Sequence, residues 1–131
     1  AVNLDAAFVT MRASRAALAS GAPSSIVNVA GLTATRPNRA EAPYNAAKAG
    51  LVALSKTAAI EFARRAKNVK LIAFQPGTTD TALSRPFQGS VKAEKLFTPA
   101  FVAERLADIV NGQDIDGELS FIDWENKNID W

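Results

Sequence analysis

Ser25-Ile26-Val27-Asn28-Val29-Ala30 is a β-branched run, too short for a helix and mostly apolar on both faces. A strand buried on both sides within a parallel sheet reads this way, so a central strand is expected here. Asn68-Val69-Lys70-Leu71-Ile72-Ala73-Phe74 reads as a second strand, and Gln75-Pro76-Gly77 ends it because proline cannot continue the ladder. Between the two lies an Ala/Leu-rich stretch from Ala42 or Tyr44 to about Ala66, with Leu51, Leu54, Ala58, Ile60 and Phe62 on a broad apolar stripe. Parallel neighbours need a crossover of this length, and such crossovers are right-handed.

The remaining segments extend the alternation. Residues 2–20 place Leu4, Phe8, Met11, Arg15 and Leu18 at helical spacings, with Gly21 and Pro23 as the stop. Residues 31–43 hold Gly, two Pro and Asn, a loop leaving a strand end and bordering a site. Residues 78–99 form a long polar segment with Pro86 and Gly89, of a length usually found in lids or mobile loops. A helix at about 99–111 capped by Gly112, a brief strand at 118–122 opened by Gly117, and a polar tail anchored by Trp124 and Trp131 complete the chain. The expectation is an α/β layering with about three strands and three helices.

The chain has 131 residues, 48% of them apolar, enough for one domain or part of one. Its first residue is Ala1, and 2–20 is already helical in pattern, so the start reads as cut rather than processed. No apolar run approaches the roughly 18 positions of a membrane span, and a soluble protein is expected. Without cysteine or histidine, disulfides, thiolate chemistry, the usual triads and most zinc sites fall away. A net charge of +2, with Arg12, Arg15, Arg64, Arg65 and Lys67 scattered among helix positions, is no nucleic-acid footprint. Arg64, Arg65 and Lys67 read as a solvated helix terminus.

In Tyr44-Asn45-Ala46-Ala47-Lys48 two polar heads stand four residues apart, on one face of a helix. A phenol ionises near pH 10 and is a poor base at neutrality, but a neighbouring ammonium favours the phenolate. Lys48 would thereby make Tyr44 a usable acid/base. The bare spacing equally fits a tyrosine packed at a helix start beside a solvated lysine; the strand and Gly-containing loop before it, and Pro76-Gly77 after the next strand, favour a site.

In the blocks VNLDAAF, SSIVNVAG, YNAAKAGLVALSKTAAIEFA, VKLIAFQPGTTDT and the tail, the chain resembles the short-chain dehydrogenase/reductase family over essentially its whole length. The resemblance implies the C-terminal half of a Rossmann-like, doubly wound parallel sheet whose N-terminal half is missing. Residues 1–131 would then be a partial NAD(P)-binding domain. It implies a cytoplasmic oxidoreductase moving hydride between NAD or NADP and a small-molecule carbonyl or alcohol. In that family the tyrosine exchanges a proton with substrate, the lysine tunes it and holds the nicotinamide ribose, and an asparagine in the preceding helix supports a proton-relay water. These roles fall on Tyr44, Lys48 and Asn3. The family's Pro-Gly block meets the cofactor after the sixth strand, which makes Pro76, Gly77, Thr79 and Thr81 cofactor-binding candidates; as bare sequence, they are a polar turn closing a strand.

Two departures stand beside these matches. The position of the family's substrate-polarising serine is Gly31, with Ala30 beside it, so the hydroxyl is missing. Thr33 or Thr35 could replace it if the loop bends inward; each otherwise reads as a solvated loop threonine. Gly31 and Thr33 are the substrate-side candidates. The Gly-rich turn that meets the pyrophosphate is also absent, since the seven glycines lie too far apart to compose it. The runs PGTTDTALSRPFQ and EKLFTP and the ending FIDWENKNIDW are similar to the C-factor-like cell-signalling subgroup. Three readings stay open: an enzyme fragment, a non-catalytic binding or signalling protein of the same fold, and an inactive truncated piece. The resemblance also implies self-association through helices 2–20 and 44–66.

Overall fold

The computed structural model describes residues 2–130. Three parallel strands, β1 (Ser24–Val29), β2 (Val69–Gln75) and β5 (Leu119–Asp123), form one sheet in the order β1-β2-β5. Helices α1 (Asp5–Ala19) and α2 (Ala42–Arg65) cover one face, and α3 (Pro99–Gly112) covers the other.

The faces follow the period-two alternation of β2. Val69 and Leu71 pack with Met11, Ala59, Phe62 and Ala66 of the α1/α2 layer, and Ala73 joins Ala30, Val52 and Phe121 above them. Ile72 and Phe74 point the other way, onto Ile109, Leu106 and Val102 of α3, with Ile122 beside them. Burying each large side chain stabilises the fold by about 1.5–3 kcal/mol. One polar link crosses this core: Asn28 Nδ2 donates to Ser55 Oγ at 2.8 Å, and Ser55 Oγ donates to the Leu51 carbonyl at 2.7 Å.

The sheet order corrects one expectation. β2 is the central strand, whereas β1 lies at an edge; its outer side has no strand partner among the described residues, and Val29 is half exposed. The helix starts and stops also differ in detail. α1 begins at Asp5, with residues 2–4 in a turn, because Leu4 adopts a non-helical φ of −135° and ψ of −58°. Gly112 does not cap α3 through a left-handed backbone; the helix stops because Gln113 is extended, with ψ 136°. Its start is conventional: Thr98 Oγ1 accepts from the Phe101 amide, and Pro99 opens the helix.

The polar segment after β2 is more ordered than its composition suggests. It carries a two-residue parallel pair, β3 (Thr78–Thr79) with β4 (Leu96–Phe97), and 3₁₀ turns at Arg85–Ser90 and Ala93–Lys95. Trp124 packs its ring 5.0 Å from that of Phe97. The other expected anchor, Trp131, lies outside the described residues. Beyond Trp124 the tail turns back along β5, bridging Ile122 to Asn128 antiparallel.

Candidate active site

Every strand of the main sheet points its C-terminal end in the same direction, and the loops leaving those ends carry the residues with chemistry. Tyr44 and Lys48 occupy the first two turns of α2, which starts above β1, with Pro43 in its first turn. Lys48 is buried and its ammonium donates to the Val29 carbonyl at 2.7 Å, the last residue of β1. The same ammonium lies 5.6 Å from the centre of the Tyr44 ring, while the Tyr44 side chain is 41% exposed and open to a reactant.

Partial burial first, and the Glu41 carboxylate second, push the Tyr44 phenol above its ordinary range. Burial pulls the Lys48 ammonium below its own. Lys48 donates to the Val29 carbonyl and lies over the Tyr44 ring.

Asn3 sits in the turn before α1 and not in the helix, exposed. Its neighbour Leu4 rests on α2, with Cδ2 3.2 Å from where a Cβ would stand on Gly50, so the missing side chain at residue 50 lets the turn approach close to the Lys48 end of α2. Gly31, at φ 155°, begins the loop above β1. A Cβ placed there would lie 3.9 Å from Tyr44 Oη and 3.8 Å from Thr33 Oγ1. Thr33 is therefore not a solvated loop residue: its hydroxyl is buried in the 3₁₀ turn Leu32–Ala34. Among the described residues, only Thr33 Oγ1 and Asn45 Oδ1 are buried side-chain polar atoms without a hydrogen-bond partner, and both border Tyr44 in sequence or space. Polar loop composition concealed this burial.

The Pro76-Gly77 block is built differently. Gly77, at φ 74°, is needed because a Cβ would come within 2.7 Å of the Phe97 ring and 3.0 Å of Trp124. Thr79 lies in β3, and its carbonyl accepts from Ser84 Oγ. The Thr81 hydroxyl stands 3.5 Å from the same Ser84 Oγ. Gln88 also donates to Ser84 at 2.8 Å, so Ser84, which the sequence reading passed over, organises this loop. Two open clefts of about 400 and 360 Å³ lie elsewhere, one around Phe97, Arg105 and Trp124, the other between Thr35 and Val52, and neither is lined by Tyr44 or Lys48. Among the described residues no cluster of carboxylates suits a metal, and no helix is long and apolar enough to cross a membrane.

Residues 1–92 match the family model described as short chain dehydrogenase. Estradiol 17-beta-dehydrogenase 8 of Callithrix jacchus is 34% identical over 86 residues, spanning 65% of this chain and 63% of that protein. A (3R)-3-hydroxyacyl-CoA dehydrogenase of Rattus norvegicus is 32% identical over 93 residues, spanning 70% of this chain but 35% of the relative. Among solved structures, a 3-ketoacyl-(acyl-carrier-protein) reductase from Brucella melitensis complexed with NADH superposes with a TM-score of 0.76 at 28% identity, covering 95% of this chain and 55% of that one. The NADPH-bound carbonyl reductase from chicken fatty liver reaches a TM-score of 0.82 over 98% of this chain and 54% of its own; its 17% identity speaks to the fold alone. The chain thus spans little more than half of these structures.

Proposed function

Because this chain belongs to the short-chain dehydrogenase family, we propose that it forms the catalytic and substrate-facing part of an NAD(P)-dependent oxidoreductase acting on a small carbonyl or alcohol. The observation that carries the reading is the placement of Tyr44 and Lys48: one helix face, one strand end, the phenol exposed and the ammonium held by Val29. In the direction of reduction, the Tyr44 hydroxyl, protonated at neutral pH as any phenol of pKa about 10 is, gives its proton to the substrate oxygen. Lys48 lies over the ring, and we assign to Asn3, on the turn whose Leu4 rests against α2, the support of a water-mediated proton path.

The residues present suit the nicotinamide end of a dinucleotide. Lys48 would hold the ribose, and the backbone at Pro76 and Gly77 with the Thr79 and Thr81 side chains would meet the carboxamide and diphosphate. To donate to the cofactor, the Thr81 hydroxyl would give up its 3.5 Å contact with Ser84 Oγ. When bound, the cofactor supplies the hydride. The Gly-rich turn for the pyrophosphate is not in this sequence, so we regard residues 1–131 as part of one NAD(P)-binding domain. We include self-association through α1 and α2 in the proposal, supported by the exposed apolar residues Phe8, Val9 and Ile60 on those helices.

Nicotinamide-nucleotide binding, followed by calorimetry with NADH and NADPH on this chain and on a form extended upstream, tests the reading. Binding with carbonyl reduction that disappears in Tyr44→Phe is the expected result. Folded samples of both forms, the extended one included, that bind neither nucleotide would overturn it. A second reading, a binding or signalling protein of this fold without turnover, draws on the hydroxyl-free Gly31; nucleotide binding with no reduction would favour it.

A further inference from the structure

Pro76 and Gly77 form the turn at which β2 ends. Among the described residues no hydrogen bond uses the Pro76 carbonyl or the Gly77 amide and carbonyl. Both residues are half-buried rather than turned fully out to solvent. Backbone groups so placed normally find a partner, and free ones at a strand end are open to a ligand. Glycine is a poor residue on which to hold them, because without a Cβ it takes positive and negative φ about equally readily. Something else must fix Gly77 at its φ of 74°.

Two aromatic rings stand in the place to do so. Phe97 Cε2 lies 2.7 Å, and Trp124 Cε3 3.0 Å, from where a Cβ would stand on Gly77. Rings from β4 and from the turn after β5 thus close on the bare Cα. The rings are held in their turn by α3 and its approach. Arg105 Nε donates to the Trp124 carbonyl at 2.9 Å, the Phe101 ring packs 5.0 Å from that of Phe97, and the Lys95 ammonium lies 5.4 Å over the Trp124 ring. Phe97, Phe101 and Trp124 also line the open cleft of about 400 Å³, so these rings face solvent and are not part of the buried core.

We propose that Trp124 and Phe97 are positioning residues for the cofactor: they fix the Gly77 backbone so that a free carbonyl of Pro76 or Gly77 accepts a hydrogen bond from the nicotinamide carboxamide N–H. The proposal rests on the dehydrogenase reading above. Neither ring touches the cofactor; each acts through Gly77, and Arg105 acts one step further back by fixing the Trp124 backbone. A backbone held ready in its bound conformation loses less freedom on binding, and the gain appears as affinity for the group it meets.

Calorimetry on the form extended upstream tests this. It compares the reduced nucleotide that binds, NADH or NADPH, with its 3-acetylpyridine analogue, in which a methyl ketone replaces the carboxamide and the N–H is gone. The unsubstituted protein should bind the carboxamide form about tenfold more tightly, the worth of one hydrogen bond. Trp124→Ala and Phe97→Ala should each bind the two alike, while Trp124→Phe, which keeps a ring beside Gly77, should keep the preference. Arg105→Met should reduce it, and decides the matter if the alanine variants do not fold. A folded Trp124→Ala that keeps the tenfold preference overturns the proposal, as does an equal loss in Trp124→Phe or, where the alanine variants do not fold, an unchanged preference in Arg105→Met. Equal binding of nucleotide and analogue by the unsubstituted protein also overturns it and leaves the dehydrogenase reading standing. Binding of neither nucleotide brings down both.

Discussion

The two ends of the sheet are finished in opposite ways. Where β1 and β2 begin, polar side chains close off the helices. Asn68 Nδ2 donates to the carbonyls of Leu18 in the last turn of α1 and of Gly21 and Ala22 just beyond it, and the Lys70 ammonium donates to those of Val110 and Gln113 at the end of α3. Orphan carbonyls at a helix C-terminus are thereby satisfied, and the cation meets the negative end of the helix dipole. Where the strands end, the opposite holds. Thr33 and Asn45 keep unpaired buried atoms, Gly31, Ala40 and Gly77 take positive φ, and the one tyrosine stands half exposed. One end is spent on stability, and the other carries strain and unmet hydrogen-bonding capacity that a reactant can meet.

Substitutions should therefore separate cleanly by end. Tyr44→Phe should cost the largest amount, about 10²–10⁴-fold in turnover, or roughly 3–5 kcal/mol of barrier, with no change in melting temperature. Ketone reduction and calorimetry on one sample check both halves of that statement. Lys70→Met should do the reverse, lowering stability by about 1–3 kcal/mol through two lost charged hydrogen bonds at the end of α3 while leaving nucleotide binding intact; urea unfolding measures it. Asn68→Ala, which removes neutral hydrogen bonds at the partly solvated end of α1, should cost about 1 kcal/mol. If Lys70→Met instead abolished nucleotide binding, the division between the ends would fail.

The smallest effect concerns pH. Tyr44 is held above the ordinary phenol value by burial and by Glu41. A group whose folded value is raised adds stability at pH below its unfolded value of about 10, and that contribution is lost as pH rises through the folded value. Lys48, lowered by burial, works in the other sense, since its cost is relieved as its ammonium deprotonates. Glu41→Gln should shift the phenolate absorbance of the sole tyrosine to lower pH. An unmoved titration would mean that burial alone sets the value.

Sequence patterns made the element order legible because α1 and α3 carry apolar faces, α2 is a long Ala/Leu-rich stretch, and β2 is a nearly continuous apolar run closed by proline. β1 read as central because its residues are apolar on both faces, yet an edge is defined by a neighbour and no pattern within a strand reports one. β3 and β4 are two residues each, too short to show a period. Tyr44 and Lys48 were visible from their spacing, but the sense of the phenol's shift was not, because it depends on how far the ring is buried and on Glu41. The burial of Thr33 was hidden for a similar reason: solvent exposure of a loop is decided by what packs over it, here the start of α2.

The returning tail gives the sheet a direction. On its outer side β5 is met by residues 128 and 129 of its own chain, through the Ile122–Asn128 bridge and the bond from the Ile129 amide to the Phe121 carbonyl. Ladder hydrogen bonds left open at a sheet margin invite another chain, and a folded-back segment removes the invitation. Among the described residues the two margins of the sheet thus differ: β5 is partly covered by its own chain, and β1 has no strand beside it.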